Sequence, residues 1–171
     1  MRLFVAAEVG EDARRAIDRL ERPSGEGLRW TDPSTWHVTL RFLGQVDASE
    51  AAERALAAAA VAGRPATAVA RPTLERLGAS AIVLRVDGLD AAANAVADAF
   101  GERPGQRRRR RFDGHLTVGR LRTDGRWPVP GVGSLDADLR WEVDEIVLVR
   151  SHLGRDRVRH EVLARRRLEG A

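Results

Sequence analysis

The chain has 171 residues, 43% of them hydrophobic, which suits one domain with a real but small core and leaves little room for two. It contains no cysteine, so disulfides, thiolate nucleophiles and Cys-ligated zinc are excluded. The net charge is +4, and the cationic side chains are all arginine, which does not titrate near neutrality and suits bidentate phosphate contacts.

The N-terminus, Met1 to Glu8, is too short and too soon acidic for a signal peptide, and no stretch approaches the roughly 18 apolar residues of a membrane span. A soluble, cytoplasmic protein is expected. Leu3 to Val9 reads as a first strand. Glu11 to Glu21 follows as an amphipathic helix, with Ala13, Ile17 and Leu20 at helical spacing. Pro23, Gly25 and Gly27 break it, and Leu28-Arg29-Trp30 begins another extended piece. His37 to Leu43 alternates, which places His37, Thr39 and Arg41 on one face, and Val38, Leu40 and Phe42 on the other. Asp47 or Ser49 caps an alanine-rich helix reaching about Ala62. Thr67 to Leu77 and Ser80 to Asp87, separated by Gly78, predict a hairpin. Asp90 caps a helix from Ala91 to about Phe100. A Gly/Pro/Arg loop over Gly101 to Arg111 leads into a second alternating strand, His115 to Leu121. Strands near Leu139 to Val143, Glu145 to Arg150 and Arg159 to Leu168 complete the chain. In both halves a His-x-Thr strand follows a helix and a loop, which suggests two related, interleaved lobes within one domain spanning residues 1–171.

Only four histidines are present, and two of them open nearly the same tetrapeptide: His37-Val38-Thr39-Leu40 and His115-Leu116-Thr117-Val118. Residues i and i+2 of a strand point the same way, so each motif presents an imidazole beside a hydroxyl. Two such faces converging on one cleft would supply what phosphodiester cleavage needs: a base for water, an acid for the leaving oxygen, and hydroxyl donors for the non-bridging oxygens. The blander readings are strand histidines bonded to backbone, or a two-histidine metal site. The latter lacks a carboxylate at obvious ligand spacing.

These residues resemble the two-histidine (2H) phosphoesterase superfamily, and within it the RNA 2′,3′-cyclic phosphodiesterases, or 2′-5′ RNA ligase-like proteins. The resemblance rests on Arg2 to Ala6, Trp36 to Gly44 with both His37-Val38-Thr39-Leu40 and Phe42-Leu43-Gly44, Phe112 to Arg120, and the end from Val143 to Leu168. It implies an α+β, bilobed fold with two antiparallel sheets facing a central cleft, helices outside, and a pseudo-two-fold duplication. It implies hydrolysis of RNA 2′,3′-cyclic phosphate termini to 2′-phosphomonoesters, with His37 as proton donor and His115 as proton acceptor. Thr39, Thr117 and Arg120 would hold the phosphate. No cofactor or metal is expected. The expected partners are RNA ends or nucleotides bearing a 2′,3′-cyclic phosphate, with no membrane and no obligate protein partner. The alternatives are a 2′-5′ RNA ligase, another 2H cyclic nucleotide phosphodiesterase, or a non-catalytic RNA-binding module. The sequence departs from the family in having Asp113-Gly114 where Pro often precedes the second His, and His160 near a frequent Tyr.

Several residues read two ways. Arg107, Arg108, Arg109, Arg110 and Arg111 make either an electrostatic landing site for RNA or a solvated loop. Phe42 either stacks on a base or joins the core. Arg41 reaches substrate or solvent from the His37 face. Trp30 and Trp36 read as packing residues. Ser151 supports the cleft by resemblance, and His152 and His160, which lack a Thr at i+2, are assigned no catalytic role.

Overall fold

The structure is a computed structural model that describes residues 1–46, 49–101, 111–154 and 158–170. The strands are β1 (Arg2–Glu8), β2 (Leu28–Trp30), β3 (His37–Gln45), β4 (Ala66–Leu77), β5 (Ala81–Asp87), β6 (His115–Leu121), β7 (Leu139–Val143), β8 (Glu145–Leu153) and β9 (Val158–Arg167). The helices are α1 (Glu11–Asp18), α2 (Ser49–Ala62) and α3 (Asp90–Phe100), and a 3₁₀ turn covers Pro33–Thr35. Among the described residues no helix is long and apolar enough to cross a membrane.

The predicted elements are present with shifted ends. The first helix stops at Asp18 rather than Glu21, because the Leu20 N–H turns back to the Ile17 carbonyl ahead of Pro23. Asp90 is the first helical residue of α3 rather than its cap; the cap position is Leu89, with no side-chain hydrogen bond. The β4–β5 hairpin turns at Gly78, whose φ of 60° lies in the left-handed region that favours glycine.

All nine strands belong to one antiparallel sheet in the order β7-β4-β5-β6-β3-β1-β8-β9, with β2 added on β6. This corrects the expectation of two separate sheets. The two ladders, β7-β4-β5-β6 and β3-β1-β8-β9, meet at β3 and β6, where only Val38 pairs with Leu116. Each half of the motif-bearing centre runs strand, helix, strand: β1, α1 and β3 on one side of the seam, β5, α3 and β6 on the other.

One face of the sheet is covered by helices. Leu3, Val5, Ala7, Val38, Leu84 and Leu116 point to that side and join Ile17, Leu56 and Val96 of the helices in the main core. The alanines of α2 and α3, including Ala59, Ala60, Ala92 and Ala93, keep these two packed helices close. The alternate residues face the opposite, open side. There Phe4, Ala6, Val147 and Val149 form a small second apolar cluster. Leu84, fully buried beside the seam, tests the main core. Leu84→Ala should lower unfolding free energy by about 2–5 kcal/mol, read from the denaturant midpoint at constant slope.

Candidate active site

Val38 and Leu116 are both fully buried on the helix side, so their neighbours His37, Thr39, His115 and Thr117 emerge on the open face, each partly exposed. The antiparallel pairing of Val38 with Leu116 sets His37 across from Thr117 and Thr39 across from His115. The two His-x-Thr motifs therefore stand side by side and head to tail.

Each imidazole is oriented the same way, by the carbonyl two residues upstream. His37 Nδ1 bonds the Thr35 carbonyl at 2.7 Å, and His115 Nδ1 bonds the Asp113 carbonyl at 2.8 Å. With Nδ1–H donating, Nε2 is the nitrogen left for chemistry. His37 Nε2 lies 3.1 Å from the Thr39 hydroxyl. The Thr35 carbonyl is aimed by the 3₁₀ turn, which Asp32 caps by accepting from the Ser34 N–H at 2.8 Å.

The Asp113 carbonyl is held differently. Arg85, paired with His115 in the β5–β6 ladder, grips both oxygens of the Asp113 carboxylate at 2.6 and 2.7 Å and bonds Glu75 at 2.9 Å. Between Asp113 and His115, the Gly114 carbonyl accepts from the Val86 N–H, and a Cβ at Gly114 would sit 2.1 Å from the Val86 carbonyl oxygen. The Asp-Gly pair that departs from the family pattern is thus the local device that seats this loop. A charged cavity of about 530 Å³ lies beside it, lined in part by Arg71, Glu75, Arg85, Asp113 and Arg111.

Two bulges in β3 correct the expected faces. Pairing with β1 skips Leu40 and Leu43, both buried in the main core. Arg41 is thereby turned to the helix side, where its Nη1 donates to the Ala97 carbonyl at 3.1 Å and its Nη2 to the Gly101 carbonyl at the end of α3. Phe42, paired with Phe4, comes instead to the open face and is 59% exposed. Its ring lies 6.0 Å from Phe4, which in turn stacks on His37 at 4.7 Å. A third bulge, at Val118 of β6, does the opposite service. Pairing with β5 skips this residue, so Arg120, three residues after Thr117, returns to the open face.

His160 is the residue that local spacing did not find. Its ring packs edge-on to His37 at 5.0 Å and to Phe4 at 5.2 Å. It arrives through the chain of pairings β9 to β8, β8 to β1 and β1 to β3, opposite Ser151 in the β8–β9 ladder. Ser151 follows Val149 at i+2 and so shares this face, whereas His152 pairs with Glu161 at 2.7 Å. Trp36 is buried in the core and Trp30 packs against it, as expected of large aromatics. Arg107, Arg108, Arg109 and Arg110 lie outside the described residues.

Burial dominates the electrostatics of His37. It lowers the pKa to about 4, against the pull of the Thr35 hydrogen bond; nearby His160 and His115 lower it further, and Glu8 raises it. Burial also lowers His160. In the resting protein His37 is therefore a neutral imidazole whose Nε2 accepts from the Thr39 hydroxyl.

The family model described as LigT like Phosphoesterase matches residues 3–79, the span that carries the first motif. The whole chain superposes on solved structures. TT0787 of Thermus thermophilus is 25% identical, with 99% of each chain covered and a TM-score of 0.74. The chain is thus similar to the LigT like Phosphoesterase family over residues 3–79, and its fold is that of TT0787. E. coli LigT complexed with NADP+ has the same fold at 23% identity and a TM-score of 0.72, covering 98% of this chain and 96% of LigT. The same protein complexed with 3′-AMP gives 24% identity and 0.72, covering 98% and 97%. No curated protein sequence matches the chain significantly. The LigT-like fold, a curled antiparallel half-barrel with three helices, accounts for the expected α+β class.

In this LigT-like chain His37 should titrate far below an ordinary histidine. A two-dimensional NMR titration of the ring protons should find an apparent pKa near 4. Because the unfolded chain binds this proton at a higher pH than the folded one, stability should fall as pH drops from about 6.5 to about 4, by up to about 3 kcal/mol. His37→Phe should flatten that dependence.

Proposed function

We propose that the protein hydrolyses RNA 2′,3′-cyclic phosphate termini to 2′-phosphomonoesters by two-histidine acid–base catalysis. The observation that carries this reading is the antiparallel Val38–Leu116 pair, which brings two imidazole–hydroxyl faces to one place on the open side of the sheet. A shared phosphorus between them would meet a base, an acid and two hydroxyl donors at once.

The roles follow the family pattern. His115, with Nδ1 on the Asp113 carbonyl, takes a proton from water through Nε2 as the water oxygen attacks phosphorus. The bond from phosphorus to the 3′ oxygen breaks, and His37 Nε2–H gives that oxygen its proton. The product keeps the phosphate on the 2′ oxygen. Thr39, Thr117 and Arg120 bind the non-bridging oxygens, where negative charge accumulates. Phe42, exposed beside Phe4, would stack on the terminal base.

The acid role needs a proton that resting His37 does not hold. A bound cyclic phosphate brings a negative charge next to it and raises its pKa. Protonation also reverses the bond to Thr39: Nε2–H then donates to the hydroxyl oxygen, freeing the hydroxyl hydrogen for the phosphate. With a 5′-hydroxyl in place of the attacking water, the same groups would join it to a 2′,3′-cyclic end through a 2′-5′ bond, the 3′ oxygen again leaving with a proton. Ligation is thus the second reading, supported by the likeness to a protein named LigT. Solved complexes of LigT with 3′-AMP and ATP support a nucleotide as the ligand of this face.

The test is turnover of a nucleoside 2′,3′-cyclic phosphate in the presence of EDTA, with the product isomer identified. Hydrolysis to the 2′-phosphate is expected. His37→Ala and His115→Ala should each lower kcat by about 10²–10⁴-fold with unchanged circular dichroism. Binding of RNA ends without any turnover would leave only the non-catalytic module. The pH–rate profile should be bell-shaped, with limbs that belong to the histidine pair jointly rather than to either ring.

A further inference from the structure

We propose that Arg29, set directly across from Arg120, extends the site into a second phosphate subsite that takes the phosphodiester group on the 5′ side of the terminal nucleotide. This rests on the phosphodiesterase reading above and specifies its substrate as a polynucleotide end rather than a mononucleotide.

Arg29 is the middle residue of the three-residue strand β2, whose neighbours Leu28 and Trp30 pack against the core. Its side chain therefore points to the open face. In the β2–β6 ladder it pairs with Arg120, which the Val118 bulge also brings to that face. Like charges directly opposite each other weaken a strand pair. Both guanidiniums are exposed, and among the described residues neither has a carboxylate partner, whereas nearby Arg122 pairs with Asp124 at 2.9 Å and with Glu26 at 3.9 Å. Two adjacent uncompensated guanidiniums at the end of a phosphate-binding strand are an arrangement that an anion between them would relieve.

The surrounding shape agrees. A groove of about 1020 Å³ runs from His160 and Thr35, which flank His37, past Arg120 to Arg29. That is at the upper end of the roughly 300–1,000 Å³ usual for a small-molecule pocket. A cyclic phosphate sits at the 3′ end of its strand, so every other nucleotide lies on its 5′ side. Arg29 lies on β2, across the strand pair from Arg120, so a second phosphate held by Arg29 need not displace the first from Thr117 and Arg120.

The experiment compares kcat/KM for a nucleoside 2′,3′-cyclic phosphate and for a dinucleotide and an octanucleotide RNA ending in the same group, in the wild type and in Arg29→Gln and Arg29→Glu. The mononucleotide carries no second phosphate and should be turned over alike by all three proteins. The longer substrates should lose about fivefold in Arg29→Gln and more in Arg29→Glu, with the salt slope of their kcat/KM reduced by about one. Equal losses on all substrates, or none on the longer ones, overturn the subsite. Should the wild type turn over no substrate at all, the phosphodiesterase reading falls. The subsite is then judged by calorimetric binding of the same octanucleotide bearing a 3′-phosphate against nucleoside 3′-monophosphate: weaker octanucleotide binding in Arg29→Gln supports it, and unchanged binding overturns it.

Discussion

One backbone pair decides what the open face of this protein presents. Val38 and Leu116 join two four-strand ladders into one sheet and are buried on the same side. Because side chains alternate along a strand, burying this pair obliges both His-x-Thr faces to emerge together on the other side. A register slip of one residue on either strand would bury an imidazole and expose an aliphatic chain. The main core, which is the larger energetic term, therefore also fixes the position of the reactive groups.

The supports around that pair differ between the halves while giving the same result. His37 is aimed by a carbonyl in a capped 3₁₀ turn; His115 is aimed by a carbonyl in a loop gripped by Arg85 and packed against Val86. Both rings thus present the same tautomer. Their surroundings are unlike. His37 lies on Phe4 and against His160 over a small apolar patch, while Asp113 and Gly114, just before His115, line a cavity rich in charge. Burial among these neighbours lowers the proton affinity of His37.

Much of this was legible in the sequence, for reasons that also explain what was not. Alternation and helical spacing located the helices, the strands and both motifs, since these are local periods. The faces of Arg41 and Phe42 differ from simple alternation because the bulge at Leu40 adds a residue and inverts the pattern beyond it. The single sheet and the place of His160 depend on which strands pair, a non-local choice that no window of sequence contains. The spacing of Arg120 was more informative than it looked. A residue at i+3 from Thr117 can share its face only if the strand bulges between them, so the motif's own odd interval is the imprint of Val118.

The Phe4 ring beneath His37 carries a thermodynamic corollary. An aromatic floor holds the imidazole uncharged until an anion arrives, so ligand capture and proton uptake are coupled. Each anion that settles over His37 should draw a proton out of the buffer, and its affinity should rise as the medium is acidified. By reciprocity, the heat of binding should depend on the ionisation enthalpy of the buffer chosen.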